Sequence, residues 1–184
     1  MNWEQCESCN QIFEAGIGKC PNCGQTYDKA FDFIEWPDLT IKIYFSLLQS
    51  LLAEQNTEKR KVSLVIFCTI SDLLFEDILV LVLKNLSTDK RVKDFIIQNN
   101  WTDSKRRELF YILTGIKMNS FLKQNGYSNF LKDYKDIRQM RNRFVHHELH
   151  SVSEDDIKKV RTVSEDMFKV FMLINNEFCI KKGK

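Results

Sequence analysis

The stretch Val62-Ser63-Leu64-Val65-Ile66-Phe67-Cys68-Thr69-Ile70-Ser71-Asp72-Leu73-Leu74-Phe75-Glu76-Asp77-Ile78-Leu79-Val80-Leu81-Val82-Leu83 decides the fold. It is apolar along most of its length and long enough to be mistaken for a membrane span. Asp72, Glu76 and Asp77 stand near its centre, where each charge would be costly in lipid. The stretch therefore reads as a helix buried in protein, extending from about Glu58 to Leu86.

Working outward, Gln55-Asn56-Thr57 breaks this helix from an earlier one. That earlier helix is capped by Asp38 and carries Leu39, Ile43, Leu47, Leu48, Leu51 and Leu52 at helical spacing to about Glu54. Downstream, helical patterns cover about Lys90–Gln98, Ser104–Lys123 and, after a turn at Gly126, Asn129–Arg143. The last helix starts near Ser153, with Asp156 in a capping-box position, and reaches about Phe178. Two prolines and six glycines leave little turn material for a strand-rich fold. The expected architecture is all-α: a helical bundle of five or six helices preceded by a small zinc ribbon.

The ribbon rests on Cys6-Glu7-Ser8-Cys9 and Cys20-Pro21-Asn22-Cys23-Gly24. Each C-x-x-C turn offers two thiolates, and two such turns complete the tetrahedron that Zn²⁺ requires. Gly24 suits the sharp turn of a knuckle. Four thiolates fill the coordination sphere, so the role expected for the zinc is structural, in a segment too small to fold without it. Phe13, Tyr27, Phe31 and Phe33 are its expected apolar packing. The domain reading is 1–36 for the ribbon and linker and 37–184 for the helical domain. Cys68 and Cys179, among aliphatic residues, are expected to be buried free thiols.

The chain of 184 residues, 43% of them hydrophobic, holds one sizeable core plus a small appendage. A net charge of +2, from 27 basic and 25 acidic residues, neither demands nor excludes a nucleic-acid partner. Met1–Phe13 is polar and carries cysteines, so no secretory leader is expected there. A cytoplasmic setting without membrane insertion follows, with cysteines as metal ligands rather than disulfides. No glycine-rich phosphate loop is present.

The chemistry concentrates in Asp136-Ile137-Arg138-Gln139-Met140-Arg141-Asn142-Arg143-Phe144-Val145-His146-His147. An Arg-Asn pair at the end of an amphipathic helix, followed by His after two apolar residues, resembles the R-x(4–6)-H signature of the HEPN superfamily. The resemblance implies a metal-independent endoribonuclease, commonly a homodimer in which two copies of the motif line one cleft. It also implies RNA as the partner, a toxin–antitoxin or antiviral-defence setting, and an antitoxin or regulatory protein as a further partner. By matching positions, Arg141 would clamp the phosphate, His146 would transfer protons, Asn142 would orient the site, and His147 competes with His146. An RNA carries its own nucleophile, the 2′-hydroxyl. A guanidinium can neutralise the phosphate, and histidine as a residue type exchanges protons near neutral pH.

On a continuous helix, residues five apart are separated by about 140°. Arg141 and His146 would then lie on different faces, so either the helix unwinds after Arg143 or a partner protomer completes the site. Without the resemblance, the arginines read as a solvated surface and the histidines as favourable charge at a helix carboxyl end.

Thr69, Asp72 and Glu76 share one helix face, and their carboxylates need cationic or hydrogen-bonding neighbours. Arg141 or a histidine would serve, making the acids supports for the site; the alternative is an interhelical salt bridge. Lys105, Arg106 and Arg107, near Phe110 and Tyr111, are the basic run expected to contact an RNA backbone, against the plain reading of a solvated helix start. Two other functions compete: a non-catalytic HEPN-like module binding a nucleotide or protein, and a transcription-associated zinc-ribbon adaptor.

Overall fold

The computed structural model describes residues 3–26, 33–86, 89–100, 102–148 and 150–180. Three short strands come first: β1 (Trp3–Cys6), β2 (Ile12–Glu14) and β3 (Phe33–Trp36). Seven helices follow among the described residues: α1 (Leu39–Ala53), α2 (Thr57–Asn85), α3 (Lys90–Asn99), α4 (Asp103–Thr114), α5 (Met118–Gln124), α6 (Phe130–Val145) and α7 (Glu154–Phe178). The all-helical class with its cysteine-bearing head is as expected from the sequence.

The central helix is α2. At 29 residues it runs for about 43 Å. Its apolar residues surround the axis because α1, α3, α4, α6 and α7 pack on different sides of it. Leu64, Phe67, Ile70, Leu74 and Leu79 are fully or almost fully buried there, which accounts for the near-continuous apolar run. No helix among the described residues is long and apolar enough to cross a membrane.

Local signals explain the helix ends. Asp38 accepts from the Ile41 amide at 2.9 Å, and Asn56 accepts from Glu58 and Lys59 at 2.9 and 3.2 Å. Ser153 and Asp156 form the expected capping box at the start of α7. The expected single helix over Ser104–Lys123 is two helices. Gly115 adopts φ 72° and donates to the Tyr111 carbonyl at 2.8 Å, ending α4 in a left-handed cap.

The segment expected to be linker contains β3. Antiparallel pairing sets Trp3 opposite Glu14 on β2 and opposite Trp36 on β3, giving sheet order β2-β1-β3. Trp36 then reaches the helices, with its ring 6.3 Å from Phe168 and edge-on to it.

The head is fastened to α7 by amide side chains. Asn176 accepts from the Ile12 amide at 2.8 Å and donates to the Ile12 carbonyl at 2.9 Å. It thus supplies the edge strand β2 with the hydrogen bonds of a missing neighbour strand. Asn175, 2% exposed, donates to the Asn10 carbonyl at 2.8 Å, and Asn10 donates to the Cys179 carbonyl at 3.0 Å. Phe13 is buried among Cys6, Cys9 and Cys20. Tyr27, Phe31 and the side chain of Phe33 lie outside the described residues.

Candidate functional site

In the head, two knuckles repeat one backbone pattern. The Asn10 amide donates to the Cys6 carbonyl at 2.7 Å, and the Gly24 amide donates to the Cys20 carbonyl at 3.0 Å. Both residues have positive φ, 65° and 77°. Glycine takes this conformation without strain, and asparagine is among the few other residues that visit it. Asn10 stands in the glycine's place because its side chain is also the clasp to α7. The four sulfurs of Cys6, Cys9, Cys20 and Cys23 lie within 4.8 Å of one another. Cys6 and Cys23 are 3.7 Å apart and Cys9 and Cys20 are 3.6 Å apart. Metal–sulfur bonds of 2.3 Å in a tetrahedron imply sulfur–sulfur edges of about 3.8 Å. The cluster therefore has the donor set and the spacing of a metal site.

The second candidate lies on α6. The helix continues through Arg143 to Val145, so it does not unwind where the motif would need it to. His146 is the C-cap, and His147 has φ 59°. The His147 amide donates to the Phe144 carbonyl at 3.0 Å and the Glu148 amide to the Arg143 carbonyl at 2.8 Å. This pair of bonds is a Schellman ending, with histidine where glycine is usual. His146 and His147 are both exposed, and neither imidazole has a partner among the described residues. Arg141 donates to the Asn142 side-chain carbonyl at 3.0 Å.

Arg141 and Asn142 open onto a groove of about 550 Å³ between α2, α4 and α6. Asp72, Asp103, Arg107, Lys135 and Arg138 also line it, and neither histidine of the motif does. A polar network ties its walls together. Arg138 donates to Asp72 at 2.9 Å and to the Tyr134 hydroxyl at 3.1 Å. The Tyr134 hydroxyl in turn donates to Asp103 at 3.0 Å. Burial, with the Asp103 charge beside it, pushes the Tyr134 phenol far above its usual range. Burial by itself disfavours the Arg138 charge, but Tyr134 and Asp72 outweigh it and hold the guanidinium protonated.

This pairing corrects the expected partners of the acids. Asp72 is held by Arg138, and Glu76 by Arg106 at 2.9 Å, rather than by Arg141 or a histidine. The interhelical salt bridge is the arrangement present. Arg106 is 7% exposed and also donates to the Asp72 backbone carbonyl at 2.9 Å, so its guanidinium is committed inside the protein rather than offered to an RNA backbone. Arg107 pairs with Asp103 at 2.7 Å. Lys105 of that run is exposed.

From sequence alone Tyr134, Asp103 and Lys135 carry no assigned role, and Arg138 reads only as part of a solvated helix surface. The spacing Tyr134–Arg138–Arg141 is a helical face, and it was the available signal for two of them. Asp103 resembles any acid in a first helical turn, and its pairing with Tyr134 appears only in three dimensions. Cys68 and Cys179 are buried as expected. Burial pushes both thiols up to about 12, with Arg138 pulling Cys68 slightly the other way.

No family model, curated protein or solved structure matches this chain.

Proposed function

We propose that the chain is a HEPN-like, metal-independent endoribonuclease that works as a homodimer in the cytoplasm, with a structural zinc ion in its cysteine head. The observation that carries this reading is the division of α6. Arg141 and Asn142 border a cationic groove, while His146 and His147 end the same helix exposed and without a partner among the described residues. In the proposed reaction the 2′-hydroxyl of RNA attacks the adjacent phosphorus and the bond to the 5′-oxygen breaks. A 2′,3′-cyclic phosphate and a 5′-hydroxyl result. Arg141 neutralises charge on the phosphoryl oxygens as it builds. His146 moves the proton from the nucleophile or to the leaving oxygen. Since Arg141 and His146 lie on different faces of one helix, the second proton-transfer group would come from the partner protomer's copy of the motif.

The resemblance places such an enzyme in toxin–antitoxin or antiviral defence, with an antitoxin or other regulatory protein as partner. Zinc is assigned to the head because four closely spaced thiolates are its preferred structural set.

A second reading, a non-catalytic module that binds RNA, a nucleotide or a protein, is favoured by one observation. Neither histidine has an acid to orient it among the described residues, whereas the acids that could do so are bound to Arg138 and Arg106.

The test is incubation of a labelled, structured RNA with excess EDTA, comparing the wild type with an Arg141→Ala/His146→Ala double variant. Scission to cyclic-phosphate ends, lost in the variant, is expected. Absence of scission by the wild type on several RNAs would leave the binding module as the better reading.

A further inference from the structure

The groove between α2, α4 and α6 holds more positive charge than its own carboxylates neutralise. Asp72 is occupied by Arg138, with Arg106 also close at 3.6 Å. Asp103 is occupied by Arg107 and the Tyr134 hydroxyl. Lys135 and Arg141, on the α6 wall, have no carboxylate partner among the described residues; Arg141 meets only the neutral amide of Asn142. The Nε atoms of Arg107 and Arg141 are buried and have no acceptor among the described residues. The described lining thus carries four cations against two carboxylates. The α4 wall adds the hydroxyls of Thr102 and Ser104, which are 3.4 Å apart.

The composition of the lining selects the ligand. An uncompensated cation pair with hydroxyl donors suits a phosphodiester. Among the described residues the lining is polar and charged and includes no aromatic ring, so the contacts it offers are to a phosphate backbone rather than to stacked bases. Lys135 precedes Arg141 by six residues, about 9 Å along the helix axis, so the two cations can serve different phosphates.

We infer that this groove is a backbone subsite for RNA: Lys135, with the Thr102 and Ser104 hydroxyls, receives the phosphodiester next to the one held by Arg141. The inference rests on the ribonuclease reading for the identity of the polymer and for the position of the cut. It assigns Lys135, Thr102 and Ser104 to binding rather than to chemistry, and it makes recognition at this subsite independent of base sequence.

The test uses the full chain and a 2′-O-methyl RNA oligonucleotide, which lacks the nucleophile and cannot be cut by this route. Binding is followed by fluorescence anisotropy over a series of salt concentrations, for the wild type, Lys135→Gln and Lys169→Gln. Lys169 is a helix-surface lysine outside the groove, paired with Asp166, and removes the same charge elsewhere. Each phosphate contact contributes about 0.7 to the log–log salt slope for a single strand. Lys135→Gln should flatten the slope by about that amount, on any base sequence, while Lys169→Gln leaves it unchanged. The subsite is overturned if Lys135→Gln keeps the wild-type slope, if Lys169→Gln flattens it equally, or if the wild type does not bind. Scission of unmodified RNA is scored separately on the same proteins. A flattened slope without wild-type scission keeps the subsite and rejects the nuclease; scission with an unchanged slope does the reverse.

Discussion

The guanidinium of Arg138 on α6 meets the carboxylate of Asp72 on α2 with two nearly parallel contacts, Nη1 to Oδ1 at 2.9 Å and Nη2 to Oδ2 at 3.4 Å. The same Arg138 stacks over the Tyr134 ring at 5.6 Å from its centroid. Two helices distant in sequence are thereby locked at the level of the groove. A planar guanidinium supports both contacts, and an ammonium supports only one at a time.

Replacing Arg138 with Met should therefore cost roughly 1–3 kcal/mol of stability, because Asp72 and the Tyr134 hydroxyl lose a charged partner in a partly buried setting. Lys at this position should recover only part of the loss. Denaturant unfolding of the two variants measures this. Equal stability of Arg138→Lys and the wild type would show that charge alone matters, and not the paired geometry.

Asn176 gives a second prediction. Its amide satisfies both the Ile12 N–H and C=O, so Asn176→Ala should cost roughly 1–3 kcal/mol through two backbone groups left without partners. The Ile12 amide should also exchange with deuterium faster than in the wild type. Unchanged exchange would mean that β1 alone holds the edge strand.

For the cysteine head, about one metal ion per chain is expected, and Cys20→Ser should lose it. Because Asn10, Asn175 and Asn176 join the head to α7, chelation should lower the melting temperature of the helical signal as well as disorder the head. A helical transition unmoved after verified metal removal would show that the head and the bundle melt independently.

Asp77 supplies the pH dependence. It lines a cavity of about 270 Å³ with Asp38, Gln5, Trp36 and Asn175. Its outer edge stays open to solvent, but local burial, with Asp38 and Glu76 adding, pushes its carboxyl up to about 6. A carboxyl whose folded value is raised binds its proton more readily in the folded state, so its charged form weakens the fold above about pH 6. That penalty fades as pH falls through 6 towards the ordinary carboxyl range. Asp77→Asn should melt higher than the wild type at pH 7.5 and show little difference near pH 4. A variant no more stable at pH 7.5 would contradict the raised value.

Much of the fold was legible because its signals are local. Asp38, Asn56 and Ser153 cap helices through bonds to amides two or three residues away, and such bonds depend on short spacings that a sequence displays. The split of the expected 104–123 helix at Gly115 had a local signal too, since glycine takes the left-handed cap without strain, but composition alone does not say whether a glycine interrupts or ends a helix. The strand β3 has only the weak local signal of Phe33, Ile34 and Trp36, and its identity comes from pairing with Trp3–Cys6.

The candidate site divides along the same line. By itself the sequence determined the cysteine tetrad, the buried central helix and the polar segment ending in Arg141-Asn142 and two histidines. These rest on thiol chemistry, hydrophobic periodicity and short spacings that are present in the unfolded chain. Only the tertiary structure decided that Arg138 and Arg106 take Asp72 and Glu76, that Asp103 meets Tyr134, and that Lys135 and Arg141 line a groove with no carboxylate partner among the described residues. Ion pairs across helices depend on which faces meet when the core closes. Several cations on α4 and α6 could have reached those acids, and packing selected among them.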